Sequence, residues 1–138
     1  MQYQSAKPNE LVSGAVDSAS LSSLMRNTSS LFAELSIDGI IIARYGYGSQ
    51  IHPDLTYLPM KVGASWLDRF IRQSLDQRIV LPGESDFILE VNDGDLELEY
   101  CHDGHVHLSG NNQALVRRAI SSTVLKGIQF RGASPGGA

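Results

Sequence analysis

The residues best suited to chemistry lie together in one short stretch, EYCHDGHVHLSG, at positions 99–110. It holds the chain's single cysteine, Cys101, and three of its four histidines, His102, His105 and His107. Thiolates and imidazoles are zinc ligands, and a cysteine beside a histidine is also the pairing used by thiol nucleophiles. The stretch therefore raises three possibilities: a metal site, a catalytic cluster, or a β-hairpin that carries imidazoles.

A metal site in this stretch would use Cys101, His105, His107 and Glu99. Structural zinc takes about four ligands in a tetrahedron, typically supplied by two separate ligand pairs. All four candidates would lie on one flat pair of strands, and the sequence offers no CxxC or HxxxH pair to complete the coordination shell. We therefore predict no metal and no other cofactor.

A catalytic cluster would use Cys101 as the nucleophile and His105 as its base. The sequence shows neither an oxyanion hole nor a third group to orient the histidine, and an exposed strand excludes water poorly. We therefore predict that the protein is not an enzyme. A metal-dependent or cysteine enzyme that uses Cys101, His105 and His107 stays open as an alternative.

The hairpin interpretation can be tested by register, because a slip of one residue moves every side chain to the other face of a strand. A two-residue loop at Asp93-Gly94 places apolar residues opposite one another, whereas a three-residue loop does not. At the next turn only a three-residue loop, His102–Gly104 with a left-handed glycine, does so. The predicted pairs are Val91 with Leu96, Leu89 with Leu98, Phe87 with Tyr100, Tyr100 with Val106, and Leu98 with Leu108.

This register predicts that one face of the sheet is polar. Cys101 would lie opposite His105 and Glu99 opposite His107, and acidic turns would flank the same strands. Such a face is either simply solvated or a docking surface for a cationic protein partner, for which charge speeds association. The residues that we predict to contact a partner are Glu90, Glu97, Glu99, His105, His107, Asp93, Asp95 and Asp103.

The remaining pattern predicts an α+β fold with an antiparallel sheet of about five strands and two or three helices on one face. We predict a short helix near 18–28, then a strand hairpin that turns at Asp38-Gly39, and helices at 64–78 and 112–126. The alternative that residues 18–35 form one helix, which the spacing of their apolar residues also fits, stays open. Ser65 and Asn112 are the expected helix caps, and Trp66 is expected to serve the core. Residues 1–17 are predicted to pack loosely, residues 18–130 to form a single domain, and residues 131–138 to be a flexible tail.

Composition limits the class of protein. With 138 residues, 42% of them hydrophobic and 19% charged, the chain can form one globular domain. Its net charge of −4 disfavours nucleic acid and anionic membranes as partners. A lone cysteine and an N-terminus without an apolar run favour a cytoplasmic location.

The segment FILEVNDGDLELEYCHDGHVHLSGNNQALVRRAI resembles the C-terminal half of several small bacterial immunity proteins, which neutralise toxins delivered between competing cells. The preceding helix SWLDRFIRQSL, which carries a tryptophan, is similar in placement, so that the resemblance covers about residues 60–126. It implies a binding function, with a cognate toxin or effector as the partner and no shared catalytic residues. A small regulatory protein or a secretion chaperone is the alternative.

Overall fold

The computed structural model describes residues 10–132, and seven antiparallel strands form one sheet within them. The strands are β1 (Leu11–Ser13), β2 (Ile40–Tyr45), β3 (Met60–Gly63), β4 (Phe87–Val91), β5 (Leu96–Tyr100), β6 (Val106–Ser109) and β7 (Phe130–Gly132). Their order across the sheet is β3-β2-β4-β5-β6-β1-β7. The sheet is open, so that β3 and β7 are its edges.

In the described part of the chain, four helices connect the strands: α1 (Ser18–Arg26), α2 (Thr28–Glu34), α3 (Leu67–Asp76) and α4 (Gln113–Ile120). Asp17 caps α1 by accepting a hydrogen bond from the Ser20 amide at 2.8 Å. The predicted cap at Asn112 is confirmed, since its side chain accepts from the Leu115 amide at 3.0 Å. Within residues 10–132, none of the helices has the length and apolar character needed to cross a membrane.

The helices pack on one face of the sheet and share a single core with it. Alternate residues of the central strands point into this core, as the period of a strand requires. The fully buried side chains include Leu21, Met25, Leu31, Ile41, Leu67, Ile71, Phe87, Leu89, Leu96, Leu98 and Tyr100. We call the opposite face, which carries Glu90, Glu97, Glu99, Cys101, His105 and His107, the polar face.

The predicted α+β class is confirmed, but the numbers of strands and helices were too low. Three strands were not predicted: β3 at one edge of the sheet, and β1 and β7 at the other side. β1 comes from the segment predicted to pack loosely, and most of β7 comes from the segment predicted to be a flexible tail. β1 pairs with both β6 and β7. Residues 1–9 and 133–138 of those two segments lie outside the described residues.

The predicted register of both hairpins is confirmed. Leu89 pairs with Leu98, which in turn pairs with Leu108. The loop His102–Gly104 has three residues as predicted: the amide of Cys101 donates to the carbonyl of His105 at 2.9 Å, and Gly104 has a φ of +83°. This geometry is the type I turn with a glycine bulge that the sequence indicates.

The loop between β4 and β5 is wider than predicted. It contains four residues, Asn92–Asp95, rather than two, although the pairing of Val91 with Leu96 is the predicted one. The reason lies in the segment before α4, whose Asn111 and Asn112 amides donate to the carbonyls of Gly94 and Asp95 at 2.9 and 3.2 Å. These carbonyls are therefore turned away from the strand ladder.

The predicted strand before Asp38-Gly39 is wrong, because that segment forms α2. A helix buries Thr28, Leu31 and Phe32 on one side, whereas a strand would expose half of its apolar residues. Asn27 separates α1 from α2, and its amide still donates to the carbonyls of Ser23 and Leu24. The sequence region 18–35 is therefore two consecutive helices.

Two of the predicted helices are shorter than expected. Ser65 lies in a 3₁₀ turn, Ala64–Trp66, and no side chain caps α3. α4 ends at Ile120 instead of residue 126 because the Ser122 hydroxyl donates to the Ala119 carbonyl and accepts from the Leu125 amide, which favours a turn over helix. Trp66, predicted to serve the core, is 58% exposed.

We predict that Tyr100→Phe lowers the free energy of unfolding by about 1–2 kcal/mol. The Tyr100 hydroxyl is fully buried and lies 2.6 Å from the Thr28 hydroxyl, which joins β5 to the start of α2. Urea denaturation measures the change. Tyr47→Phe, at a 62% exposed ring, is the control. Equal stabilities for Tyr100→Phe and the control would contradict the role of this bond.

Candidate functional site

The polar face is less accessible than the sequence suggests. Glu97 and Glu99 are only 7% and 5% exposed, so the expectation of a solvent-facing hairpin is wrong for both. Glu90 is half-buried, and its carboxylate lies 2.9 Å from the guanidinium of Arg44 on β2. That ion pair offsets the repulsion expected where Glu90 pairs directly with Glu97.

The two histidines of the polar face have different partners. Nδ1 of His105 lies 2.9 Å from the Ser13 carbonyl, to which it can donate a hydrogen bond. Nδ1 of His107 lies 3.2 Å from a carboxylate oxygen of Glu10, which is itself buried. β1 and the residue before it therefore supply a partner to each of these histidines. The predicted cysteine and base, Cys101 and His105, lie opposite each other, but the His105 ring is engaged with the backbone of β1.

Glu10, Glu99 and His107 form the most concentrated cluster of ligand atoms among residues 10–132, with one atom from each within 4.8 Å of the others. Burial lowers the pKa of His107, but its contacts with the Cys101 thiol and with Glu10, together with the charge of Glu99, outweigh burial and raise that pKa to about 10. The negative surroundings thus favour the imidazolium form of His107. No pattern in the sequence indicates that Glu10 lies here.

The acidic turns of the predicted contact surface lie apart. Asp93 is exposed and Asp95 half-buried in the loop at one end of β5, whereas the exposed Asp103 lies in the loop at its other end. The eight residues predicted to contact a partner therefore do not form one continuous exposed patch. That they bind a partner stays a prediction.

His102 lies at the edge of a cleft that the sequence did not reveal. Its ring Nδ1 and its backbone amide lie 2.9 and 2.7 Å from the same oxygen of Asp86, a buried carboxylate. The Tyr57 hydroxyl donates to the other oxygen at 3.1 Å. The cleft has a volume of about 480 Å³, and Tyr47 packs on the His102 ring at a centroid distance of 4.7 Å.

The pair of His102 and Asp86 orients an imidazole but does not aim it at a nucleophile. Nε2 of the ring lies 3.5 Å from Asp103, so that the ring sits between two carboxylates. The hydrogen bond to Asp86 raises the pKa of His102. We infer that the pair chiefly stabilises the turn between β5 and β6.

A second concave surface lies where edge strand β3 faces α3. Its volume is about 460 Å³. Four apolar side chains line it: Met60, Val62, Trp66 and Phe70. Two cations, Lys61 and Arg69, complete the lining together with Gly63 and Gln73. The guanidinium of Arg69 lies 5.5 Å from the centroid of the Trp66 ring, a cation–π contact that holds both side chains at the surface. We call this surface the β3–α3 groove.

Exposed apolar side chains continue beyond the β3–α3 groove. Ile40, which is 56% exposed, starts β2 and pairs with Gly63 beside Trp66. Leu58, at 49%, precedes β3 at its other end. Large apolar residues exposed beside an open sheet edge are typical of surfaces that bind another chain.

No protein family model, curated protein or solved structure matches this chain. The candidate sites therefore rest on the geometry of the described residues: the Glu10–Glu99–His107 cluster, the cleft at His102 and the β3–α3 groove.

We predict that His102 stabilises the fold more at low pH than at high pH. Because its pKa is raised in the folded state, the stabilisation is present below the unfolded value and is lost as the pH rises through the folded value. His102→Asn should cost about 1 kcal/mol or less at about pH 5.5 and less at about pH 8.5, since the ring is partly exposed. Urea denaturation at both pH values measures the effect of His102→Asn. The same comparison in an Asp86→Asn background measures how much of that effect depends on the Asp86 carboxylate. A pH dependence that persists without the Asp86 carboxylate would contradict this assignment.

Proposed function

We propose that this chain is a non-enzymatic protein-binding module and, most concretely, an immunity protein that binds and neutralises a cognate bacterial toxin. The observation that carries the binding function is the β3–α3 groove, which combines an open strand edge, an exposed tryptophan and two cations. The proposed partner contributes an extended acidic segment that lies along β3.

The backbone of β3 supports this mode of binding. β3 pairs with β2 on one side and, within residues 10–132, has no strand on the other. An extended segment can therefore add to the sheet through main-chain hydrogen bonds, while α3 forms the second wall of the groove. Binding by strand addition beside a helix uses the backbone for affinity and side-chain pockets for specificity.

The charges of the groove select the partner's chemistry. Lys61 and Arg69 are both exposed in a chain whose net charge is −4. The carboxylates of α3, by contrast, are already paired with arginines: Asp68 lies 3.0 Å from Arg72, and Asp76 lies 2.9 Å from Arg26. The local field at the groove is therefore positive, which favours an acidic segment and speeds its association.

Trp66 provides the apolar anchor. Its ring is 58% exposed and lies in the 3₁₀ turn Ala64–Trp66 that leads into α3. Tryptophan and arginine are the residue types most enriched among those that dominate binding energy at protein interfaces. Because the Arg69 guanidinium lies over the Trp66 ring, the groove presents both of these residue types side by side.

This assignment moves the proposed contact surface away from the polar face. A cationic partner was expected there, but burial of Glu97 and Glu99 leaves little acidic surface for it to contact. The β3–α3 groove also lies within residues 60–126, the segment that resembles immunity proteins. An immunity protein that neutralises its toxin by binding it in a groove needs no catalytic residue.

A display library of random peptides tests the binding mode directly. We expect the wild-type protein to enrich extended peptides in which apolar residues alternate and Asp or Glu is frequent. Trp66→Ala should weaken an enriched peptide by about tenfold or more, measured by fluorescence polarisation, because a central aromatic anchor is lost. Lys61→Glu combined with Arg69→Glu should weaken it similarly and remove the salt dependence of association.

Matched controls separate the groove from the general surface. Tyr47→Ala removes another exposed aromatic ring, and Lys126→Glu reverses another exposed cation, and both should leave peptide affinity unchanged within about twofold. A library that enriches the same peptides on the wild type and on Trp66→Ala would contradict the proposed surface.

The immunity function is tested with the protein encoded beside this chain's own gene. We expect that expression of this neighbour alone arrests growth and that co-expression of the wild-type chain restores it. Co-expression of a triple variant, which combines Trp66→Ala with Lys61→Glu and Arg69→Glu, should not restore growth. Restored growth with that triple variant would refute the groove as the neutralising surface. A neighbour that is harmless to cells would refute the immunity form of the proposal.

A further inference from the structure

The central strands of the sheet form the floor of the cleft at His102. β4 pairs antiparallel with both β2 and β5, so that the start of β4 lies between the ends of its two neighbours. Gly46 follows β2, Asp86 precedes β4, and His102 lies in the loop after β5. These residues come together because three central strands end at the same place, which gives the cleft a fixed shape.

The loop that follows β2 packs closely against the other walls of the cleft. A Cβ at Gly46 would lie 2.7 Å from both the Asp86 Cβ and the Tyr57 ring. Gly48 has a φ of +81°, and a Cβ there would collide with the Glu84 carbonyl. Glycine is therefore required at both positions for the loop to come this near to the segment before β4.

Tyr57 has a backbone conformation that is unusual for an aromatic residue. Its φ is +67°, in the left-handed region that bulky side chains rarely adopt. Its hydroxyl donates to Asp86 and accepts from the Tyr47 amide, both at 3.1 Å, so that the ring is held as one wall of the cleft. Strained backbone of this kind concentrates at ligand sites, where the surrounding structure enforces it.

One hydroxyl group of the cleft lacks a partner. Ser49 lines the cleft, and its Oγ is buried without a hydrogen-bond partner within residues 10–132. The neighbouring Ser85 shows the contrast, because its buried hydroxyl donates to the Gly48 carbonyl at 3.0 Å. A buried hydroxyl without a partner is unfavourable, and a ligand atom that hydrogen-bonds to Ser49 restores the missing interaction.

The charges of the cleft favour a neutral ligand. Among the described residues, no lysine or arginine lines it, so that His102 is the one side chain there able to carry a positive charge. The ring and the amide of His102 both engage Asp86, which weakens the attraction of that carboxylate for an added cation. The cleft offers planar surfaces instead, since the Tyr47 ring is 62% exposed and lies beside the His102 ring.

We propose that this cleft binds a neutral, planar heteroaromatic ligand and that a purine nucleoside is the class that fits it. A purine ring stacks on the exposed Tyr47 ring, as nucleobases do on aromatic side chains. Nitrogen atoms at the edge of the purine accept the hydrogen bond that the Ser49 hydroxyl can donate. The cleft volume of about 480 Å³ lies within the range of small-molecule sites, about 300–1,000 Å³. The cleft shares no lining residue with the β3–α3 groove, so that this proposal does not depend on the proposed function.

A two-dimensional NMR titration with adenosine tests the proposal. We expect saturable shifts of the amide signals of Gly48, Ser49 and His102. Tyr47→Ala should weaken adenosine binding by about tenfold because stacking is lost, and Ser49→Ala by about fivefold because a hydrogen bond is lost. Ser49→Ala should leave the melting temperature of the free protein unchanged or raise it, since that hydroxyl has no partner to lose. The spectrum of each variant verifies that it is folded.

Matched probes and a control variant define the outcomes. Trp66→Ala removes an exposed ring of the β3–α3 groove and should bind adenosine within about twofold of the wild type. Adenosine 5′-monophosphate and the benzyltrimethylammonium cation should each bind no more tightly than adenosine. Equal adenosine affinities of the wild type and Tyr47→Ala, or tighter binding of either charged probe, would overturn the proposal. Unchanged affinity together with a lower melting temperature in Ser49→Ala would overturn the role of Ser49.

Discussion

The three-residue loop His102–Gly104 determines which side of the sheet each residue of β5 and β6 faces. Because strand side chains alternate, one residue more or fewer would exchange the two faces of β6 relative to β5. The loop requires a left-handed residue at Gly104, which has a φ of +83°. Gly104 also accepts a backbone hydrogen bond from Val16, and an added Cβ would lie 2.9 Å from the Val16 carbonyl. Loop, register and the entry to α1 therefore depend on one glycine.

The two faces that this register creates have different uses. On one face Tyr100, Val106 and Leu108 join the core beneath the helices. On the other, the same strands place Glu99 beside His107, where Glu10 completes a buried charged cluster. The edge strand that we assign to partner binding lies beyond β4 and β2 in the opposite half of the sheet. The charged cluster and the proposed partner-binding edge thus lie on separate strands, so that each can be altered without the other.

Short-range features of the fold could be predicted from the sequence. The pairs across β4, β5 and β6 follow from alternation and from two Asp-Gly turns, and the cap at Asn112 follows from its chemistry. These signals act between residues that are close in the chain. The α2 segment escaped prediction because Leu31 and Phe32 suit a buried strand as well as a helix, and only contact with the sheet decides between them.

Long-range features could not be predicted. β1 has only three residues and is stabilised by pairing with β6 and β7. Both of these strands lie about a hundred residues further along the chain. Glu10 enters the charged cluster only through that pairing, so no local pattern could have identified it. The exposure of Trp66 depends likewise on the 3₁₀ turn that begins where the Ala64 amide donates to the Gly39 carbonyl at 2.8 Å.

The central claim is that β3 and α3 together bind an extended segment of another protein. Amide hydrogen exchange of the free protein and of its complex with a library-selected peptide or the cognate toxin tests this claim residue by residue. The account predicts that the amides of β3 (Met60–Gly63) that point away from β2 gain protection on binding, since strand addition gives them new hydrogen-bond partners, while those that already face β2 change little. Protection confined to the polar face, at β5 and β6, with β3 unchanged would contradict it.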